Sequence, residues 1–160
     1  MSLNNIDWNK VEIYTDGASK GNPGSAASAM VVYNDSKLVY GLSIPLGLAT
    51  NNQAEMVAVL TALEAVEWSK TTCPVPIYTD SAYICNCFEQ KWYVKWRQNG
   101  WKNSKKQPVA NSDLWKQMLE KKEKTNAVIL KVKGHSGVAG NEMADKLASE
   151  AAETQEGKVI

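Results

Sequence analysis

The sequence predicts an α/β fold: a five-stranded mixed sheet, with three antiparallel strands followed by two parallel ones, flanked by helices. Two short apolar runs, at residues 11–16 and 75–80, share the phrase Ile-Tyr-Thr-Asp, and each ends on an aspartate as a buried strand leaves its sheet. After each run, stretches with helical spacing alternate with strand-like stretches. The 160 residues fit one domain, 1–160, whose core we expect at about 10–153 and whose tail at 154–160 we expect to fray.

The first part of the chain predicts three strands that follow one another in antiparallel order. Residues 11–17 form the first strand, and the stretch 18–24, rich in glycine with one proline, is a dense turn signal. Residues 25–33 and 37–44 predict the next two strands, joined by a turn at 34–36.

The rest of the chain alternates helices with strands. Apolar residues recur at helical spacing between residues 52 and 68, which predicts an amphipathic helix that returns the chain to the sheet. The remaining predicted elements are a strand at 75–80, a short helix at 81–90, a helix of about ten residues that Ser112 could cap, a strand at 127–132, a loop at 134–140 and a final helix at 141–153.

Composition points to a cytoplasmic protein that we expect to be a monomer. No apolar run approaches the roughly 18 residues of a membrane span, and the polar start lacks a signal-peptide layout. The three cysteines have no useful zinc or redox spacing, so we expect free thiols. The net charge is only +1, but ten Lys and Arg residues and three acidic residues lie between Lys91 and Lys124, so the basicity is local.

Carboxylates recur at positions that a fold of this kind brings together. If the two repeated strands are parallel neighbours, Asp16 and Asp80 emerge side by side, where two anions require a raised pKa or a bound cation. Glu55 lies in the first turn of the long helix and Asp145 lies one turn into the last helix. Such an oxygen cluster suits Mg²⁺ or Mn²⁺ rather than zinc.

Each of these carboxylates also has a purely structural interpretation, which the sequence leaves open. The structural roles are Asp16 as a turn former, Asp80 as a helix cap, Glu55 as the acid of a capping box that begins at Asn52, and Asp145 as a solvated surface charge.

Four motifs resemble those of type 1 ribonucleases H, in the order found in that family, and they span nearly the whole chain. They are Tyr-Thr-Asp-Gly-Ala-Ser-Lys-Gly-Asn-Pro-Gly at 14–24, Thr-Asn-Asn-Gln-Ala-Glu at 50–55, Tyr-Thr-Asp-Ser at 78–81, and Val-Lys-Gly-His-Ser-Gly at 132–137 with Asn-Glu-Met-Ala-Asp at 141–145.

The resemblance implies the ribonuclease H fold and hydrolysis of the RNA strand of RNA–DNA hybrids, with little sequence specificity and with 5′-phosphate and 3′-hydroxyl ends. By motif position, it implies that Asp16, Glu55, Asp80 and Asp145 are metal-binding catalytic residues and that His135 is a catalytic histidine. Two Mg²⁺ ions, with Mn²⁺ as a substitute, would activate the water and support the leaving oxygen.

The segment 91–106 contains no acidic residue and interleaves cations with tryptophans. We predict a groove that follows a nucleic-acid backbone, with a solvated charged face as the alternative. Its cations, which we expect to have no acidic partner, are Lys95, Arg97, Lys102, Lys105 and Lys106. We expect Trp92 and Trp101 to pack within the protein.

This segment is similar to the basic protrusion of cellular and many bacterial type 1 enzymes. The resemblance implies three sets of contacts: Tyr83, Trp96 and Ser104 in a channel for the DNA strand; Thr50 and Asn111 at a DNA phosphate; and Asn22, Asn51 and Asn52 at bases or sugars of the hybrid.

Two other functions fit the sequence. The chain could be a ribonuclease H domain that works within a reverse transcriptase, although we expect a free-standing enzyme. It could also be a non-catalytic module that binds hybrids or double-stranded RNA. Four acids would be out of place where a polyanion only docks, which favours the enzyme.

Overall fold

The structure, a computed structural model, describes residues 5–132 and 138–160. A short 3₁₀ helix at Trp8–Lys10 precedes the main elements. In chain order these are β1 (Val11–Gly21), β2 (Gly24–Asn34), β3 (Lys37–Ala49), α1 (Asn51–Ser69), β4 (Val75–Thr79), α2 (Ala82–Gln90), α3 (Trp92–Gln98), α4 (Ser112–Glu123), β5 (Ala127–Lys131), α5 (Ala139–Thr154) and β6 (Lys158–Val159).

The strands form one mixed sheet in the order β5-β4-β1-β2-β3-β6. β1, β2 and β3 are antiparallel neighbours, and β4 and β5 are parallel to β1. The predicted fold class is therefore confirmed. Within the described ranges, no helix combines the length and the apolar character that crossing a membrane requires.

The predicted frayed tail is wrong, because the end of the chain forms a sixth strand. β6 pairs with β3, and the backbone of Ile160 exchanges two hydrogen bonds with Gly41. The side chain of Ile160 needs the space that glycine leaves, since a Cβ on Gly41 would lie 2.5 Å from Ile160 Cγ1. Without these residues β3 would be an open sheet edge with unpaired backbone groups.

The first strand is longer than predicted. β1 continues through the expected turn to Gly21, paired with β2 along its whole length, and the chain reverses only at Asn22-Pro23. Asp16 therefore lies within a strand and not at its end. The parallel pairing of β1 with β4, however, stops at Tyr14 and Tyr78, so Asp16 lies just beyond the point where the two strands separate.

Helices cover both faces of the sheet and bring their first turns to β1. On one face, α1 buries Met56, Val59 and Leu63 against the sheet, in a core that also contains Trp115 of α4. On the other face, α5 packs through small side chains such as Ala144 and Ala148, which allow a close approach. α5 begins at Ala139, two residues earlier than predicted.

Candidate active site

Three carboxylates converge from three separate elements. Asp16 in β1, Glu55 in α1 and Asp80 directly after β4 each offer an oxygen, and these oxygens all lie within 4.8 Å of one another. The Thr15 hydroxyl donates a hydrogen bond to the Tyr78 carbonyl at 2.8 Å, which fastens β1 to β4 beside the cluster. Asp16 is buried, with only 5% of its surface exposed.

Other residues perform the capping roles that the sequence left open for these acids. At the start of α1, the Thr50 hydroxyl accepts from the Gln53 N–H at 3.1 Å, and Gln53 Oε1 accepts from the Thr50 N–H at 2.9 Å. The capping box thus uses Thr50 and Gln53 and leaves Glu55 free. At α2, the Ser81 hydroxyl accepts from the Ile84 N–H at 3.2 Å, which leaves Asp80 free.

Glycine at position 17 places the first turn of α1 directly on β1. A Cβ on Gly17 would lie 2.4 Å from the backbone nitrogen of Glu55 and 2.4 Å from the carbonyl carbon of Ala54. The buried Ser28 hydroxyl also donates to the Ala54 carbonyl at 2.6 Å. The strand and helix that carry Asp16 and Glu55 are therefore held together at the two acids, and the turn-former interpretation of Asp16 is wrong.

Asp145 reaches the same cluster from α5. It lines a cavity of about 140 Å³ together with Asp16, Asp80, Asn141 and Glu142. Its side chain is more exposed than that of Asp16, consistent with a position at the open side of the cluster. The structure thus brings all four predicted metal ligands to one place. Asn141 and Glu142 were not predicted, although Asn141 precedes Asp145 by one helical turn, a spacing that indicates a shared face.

Burial and mutual repulsion raise the pKa of two of these acids. Burial raises the pKa of Asp16 to about 7, with a further increase from the charges of Asp80 and Asp145. Burial raises the pKa of Glu55 to about 11, and the charges of Asp16 and Asp80 contribute. Without a cation, the cluster therefore retains a proton at neutral pH.

The cluster fits a divalent cation. Glu55 Oε2 is buried and accepts no hydrogen bond from any described residue. A buried oxygen without a donor is unfavourable, and so is the crowding of several carboxylates; one cation relieves both. All four side chains offer oxygen, the donor type that Mg²⁺ and Mn²⁺ prefer. His135, the predicted catalytic histidine, lies outside the described residues.

The predicted hybrid contacts lie on two separate parts of the chain. Near the cluster, Asn22 at the β1–β2 turn accepts from the Asn51 N–H at 3.0 Å, beside Thr50 and the exposed Asn52 at the start of α1. Asn111 lies further along the chain at the start of α4, in a left-handed conformation with no side-chain cap. Asn111, rather than Ser112, is therefore the residue at the cap position.

Aromatic side chains attach the basic segment to the core. The Trp96 ring centroid lies 6.2 Å from that of Trp92, 5.7 Å from that of Trp101 and 6.0 Å from that of the buried Trp115. The Tyr83 hydroxyl accepts from Trp115 Nε1 at 3.0 Å. Trp92 and Trp101 thus pack against the core as predicted, and they are half-buried like Trp96 and Tyr83 in the same cluster.

The expectation that the cations lack acidic partners is wrong for Arg97. Its guanidinium pairs with both carboxylate oxygens of Glu123, at 2.8 and 3.0 Å. The two residues are 26 positions apart, so local sequence carried no sign of the pair. The other four predicted cations, Lys95, Lys102, Lys105 and Lys106, are exposed and form no ion pair within the described ranges, and Ser104 is exposed between them.

Comparison with known proteins identifies the family. Residues 8–153 match the sequence profile of the RNase H family. The chain is 43% identical over 140 residues to a ribonuclease H of Symbiobacterium thermophilum, covering 87% of this chain and 92% of that protein. LC9-RNase H1, a type 1 RNase H with the type 2 active-site motif, superposes with a TM-score of 0.79 at 26% identity, over 94% of this chain and 76% of that one. A foamy viral protease-reverse transcriptase, solved in complex with an RNA/DNA hybrid, gives a TM-score of 0.78 at 26% identity, over 96% of this chain and 22% of that one. The chain therefore belongs to the RNase H family of ribonucleases.

Proposed function

We propose that this chain is an endoribonuclease that hydrolyses the RNA strand of RNA–DNA hybrids, leaving 5′-phosphate and 3′-hydroxyl ends. The observation that carries the proposal is the convergence of Asp16, Glu55 and Asp80 within 4.8 Å in a chain of this family. A viral protein of the same fold was solved bound to an RNA/DNA hybrid, which supports the hybrid as the substrate class.

Asp16, Glu55, Asp80 and Asp145 would hold Mg²⁺, two ions when substrate is present, with Mn²⁺ as a substitute. When bound, these ions supply the Lewis acidity that activates water and stabilises charge on the phosphoryl and leaving oxygens of a phosphodiester. The protein's own contribution is a set of carboxylates fixed by the capping and glycine contacts described above. Because all four acids come from one chain, we also propose that the enzyme acts as a monomer.

His135 is proposed to move protons during the reaction. A histidine has an ordinary pKa near neutrality, which suits transfer of a proton to or from a phosphodiester oxygen or water. It would modulate the rate rather than hold metal. Replacing His135 should therefore leave a slow enzyme, whereas replacing Asp16 or Asp80 should leave almost no activity.

The exposed lysines of the basic segment are proposed to bind phosphates of the hybrid. Lys95, Lys102, Lys105 and Lys106 provide unpaired positive charge within the described ranges, and contacts to a nucleic-acid backbone carry little sequence information. The remaining proposed contacts are Thr50 and Asn111 at a DNA phosphate, Asn22, Asn51 and Asn52 at bases or sugars, and Tyr83, Trp96 and Ser104 along the DNA strand.

Incubation with an end-labelled hybrid, with and without Mg²⁺, tests the activity. We expect cleavage of the RNA strand only, no cleavage of an all-DNA duplex, and loss of cleavage in the Asp16→Asn variant with the protein still folded. Tight binding of an intact hybrid in Mg²⁺ or Mn²⁺ would overturn the proposal in favour of a binding module.

The lysine contacts are tested by the salt dependence of binding. Replacing Lys102, Lys105 and Lys106 together by Gln should weaken hybrid binding and flatten the dependence of affinity on salt, because fewer counterions are released. The control is Lys37→Gln. Lys37 is the first residue of β3, at the opposite end of the strand from Ala49 and the carboxylates. An unchanged salt slope in the triple variant would rule out this groove.

A further inference from the structure

The first turn of α5 lies directly against an aromatic ring of β1. A Cβ placed on Gly140 would lie 2.3 Å from Tyr14 Cδ2 and 2.5 Å from Tyr14 Cε2, distances that no real side chain tolerates. Gly140 is buried at this contact. Glycine is therefore needed here for close approach, in a helix where alanine would otherwise be preferred.

Neighbouring aromatic rings hold the Tyr14 ring in place. It stacks on Tyr78 at a centroid distance of 4.8 Å and an interplanar angle of 17°, and it meets Tyr33 edge-on at 5.8 Å. Its hydroxyl donates to Glu12 at 3.4 Å. Because the ring is supported on two sides, a larger group at position 140 would displace the helix rather than the ring.

This contact joins the two elements that carry facing carboxylates. Tyr14 and Asp16 are two residues apart in β1 and so project from the same face of the strand. Asp145 follows Gly140 by five residues in α5 and lines the cavity that it shares with Asp16. The ring therefore lies between the backbone of α5 and the strand, next to the point where Asp16 and Asp145 meet.

The body of α5 has further contacts with the sheet besides the one between Gly140 and Tyr14. Ala144, Leu147 and Ala148 are buried against Ala29 and Val31 of β2. A change at Gly140 should therefore tilt the first turn and leave the rest of the helix in place.

We propose that Tyr14 is a positioning residue: through its ring contact with Gly140 it sets the distance from Asp145 to Asp16, and so the affinity of the site for a divalent cation. The inference rests on the proposed function only in taking these carboxylates as metal ligands. It can be measured without substrate.

The central test is Mn²⁺ binding by isothermal titration calorimetry to the metal-free protein. We expect Gly140→Ala to weaken Mn²⁺ binding on the order of 10-fold, the scale reported for residues that orient metal ligands. The Tyr14→Leu variant, which removes the ring, should lose a similar factor. Tyr14→Phe retains the ring without the hydroxyl and is the matched control, with unchanged affinity.

The double variant Tyr14→Leu/Gly140→Ala should bind Mn²⁺ more tightly than Gly140→Ala alone, since the smaller side chain makes room for the added methyl.

A double-mutant cycle separates positioning from general packing. In an Asp145→Asn background, Gly140→Ala should cause no further loss of Mn²⁺ affinity, because the ligand that it misplaces is already gone. An equal loss with and without Asp145 would overturn the proposal, and so would unchanged Mn²⁺ affinity in folded Gly140→Ala. If Gly140→Ala does not fold, Tyr14→Leu with the same Asp145→Asn cycle decides. Mn²⁺ binding that behaves as expected in a protein that cleaves no hybrid would contradict the proposed function and leave this inference intact.

Discussion

Arg97 donates two parallel hydrogen bonds to Glu123, from Nη1 to Oε2 at 3.0 Å and from Nη2 to Oε1 at 2.8 Å. The guanidinium also lies 5.5 Å from the centre of the Tyr93 ring. The pair connects α3, the helix of the basic segment, with the last turn of α4. Arg97 thus helps to hold the helix that carries the basic segment. Its charge is paired with Glu123 instead of being directed at a phosphate.

The Glu123→Gln variant should bind the hybrid more weakly, by up to about fivefold, as expected for loss of an exposed ion pair that orients α3. Electrostatics alone predicts the opposite sign, because removing an acid from a basic surface favours a polyanion. The matched control is Glu120→Gln, which makes the same charge change on α4 but touches Lys124 instead. Fluorescence anisotropy with a labelled hybrid measures both, and equal tightening in the two variants would show that Arg97 is available to phosphate.

The metal-free protein should lose stability as the pH rises from 5 to 8. Folding raises the pKa of Asp16 to about 7 from an ordinary value of 3.8, so the folded state binds a proton that the unfolded state releases. The contribution of Asp16 to stability is therefore complete below pH 4 and is lost as the pH rises to about 7. We expect a fall in melting temperature on the order of 5 °C in EDTA.

Two controls accompany that pH series. Asp16→Asn removes the buried charge and should make the decline shallower, and the remaining slope is due to Glu55, whose raised pKa acts in the same direction. Saturating Mg²⁺ should oppose the decline by binding the ionised cluster. A decline in EDTA that is as steep in Asp16→Asn as in the unmodified protein would contradict the assignment to this carboxyl group.

Thr50→Ala should destabilise the fold by about 1 kcal/mol, because the start of α1 loses its capping box. Thr50→Ser retains the hydroxyl and should cost much less. Asn52→Ala is the informative comparison, because the sequence alone offered Asn52 as the first residue of a capping box. Since the observed box uses Thr50 and Gln53, this change should have little effect on stability. Urea unfolding of the three variants measures the differences; a larger loss for Asn52→Ala than for Thr50→Ala would contradict the observed cap.

Ile160→Ala should lower the free energy of unfolding on the order of 1 kcal/mol, since the side chain covers Gly41 and part of its apolar surface leaves water. Val159→Ala is the matched control, because 63% of Val159 is exposed. Hybrid cleavage should be unchanged in both, since β6 lies three strands away from β1. A selective loss of activity in Ile160→Ala would link the tail to the site.

Local patterns in the sequence were enough to predict the succession of strands and helices along the chain and to single out the acids of the site as candidates. The alternation of apolar residues in β1 and β4 and the helical spacing in α1 are properties of a few neighbouring positions. Asp16 and Asp80 follow the same phrase, so parallel pairing of their strands was sufficient to bring them together. The meeting of Asp16 and Asp80 was therefore predictable without coordinates.

Only the tertiary structure decided the contacts between residues that are distant in the chain. Arg97 meets Glu123, Gly140 meets Tyr14, and Ile160 meets Gly41 because of how whole elements pack, and a repeat of two or 3.6 residues contains no information about such partners. The sequence by itself determined which side chains could do chemistry. The packing of helices on the sheet determined which of them are free to do it, because the charge of a carboxylate or a guanidinium that is already paired is compensated by its partner and attracts a substrate or a metal less strongly.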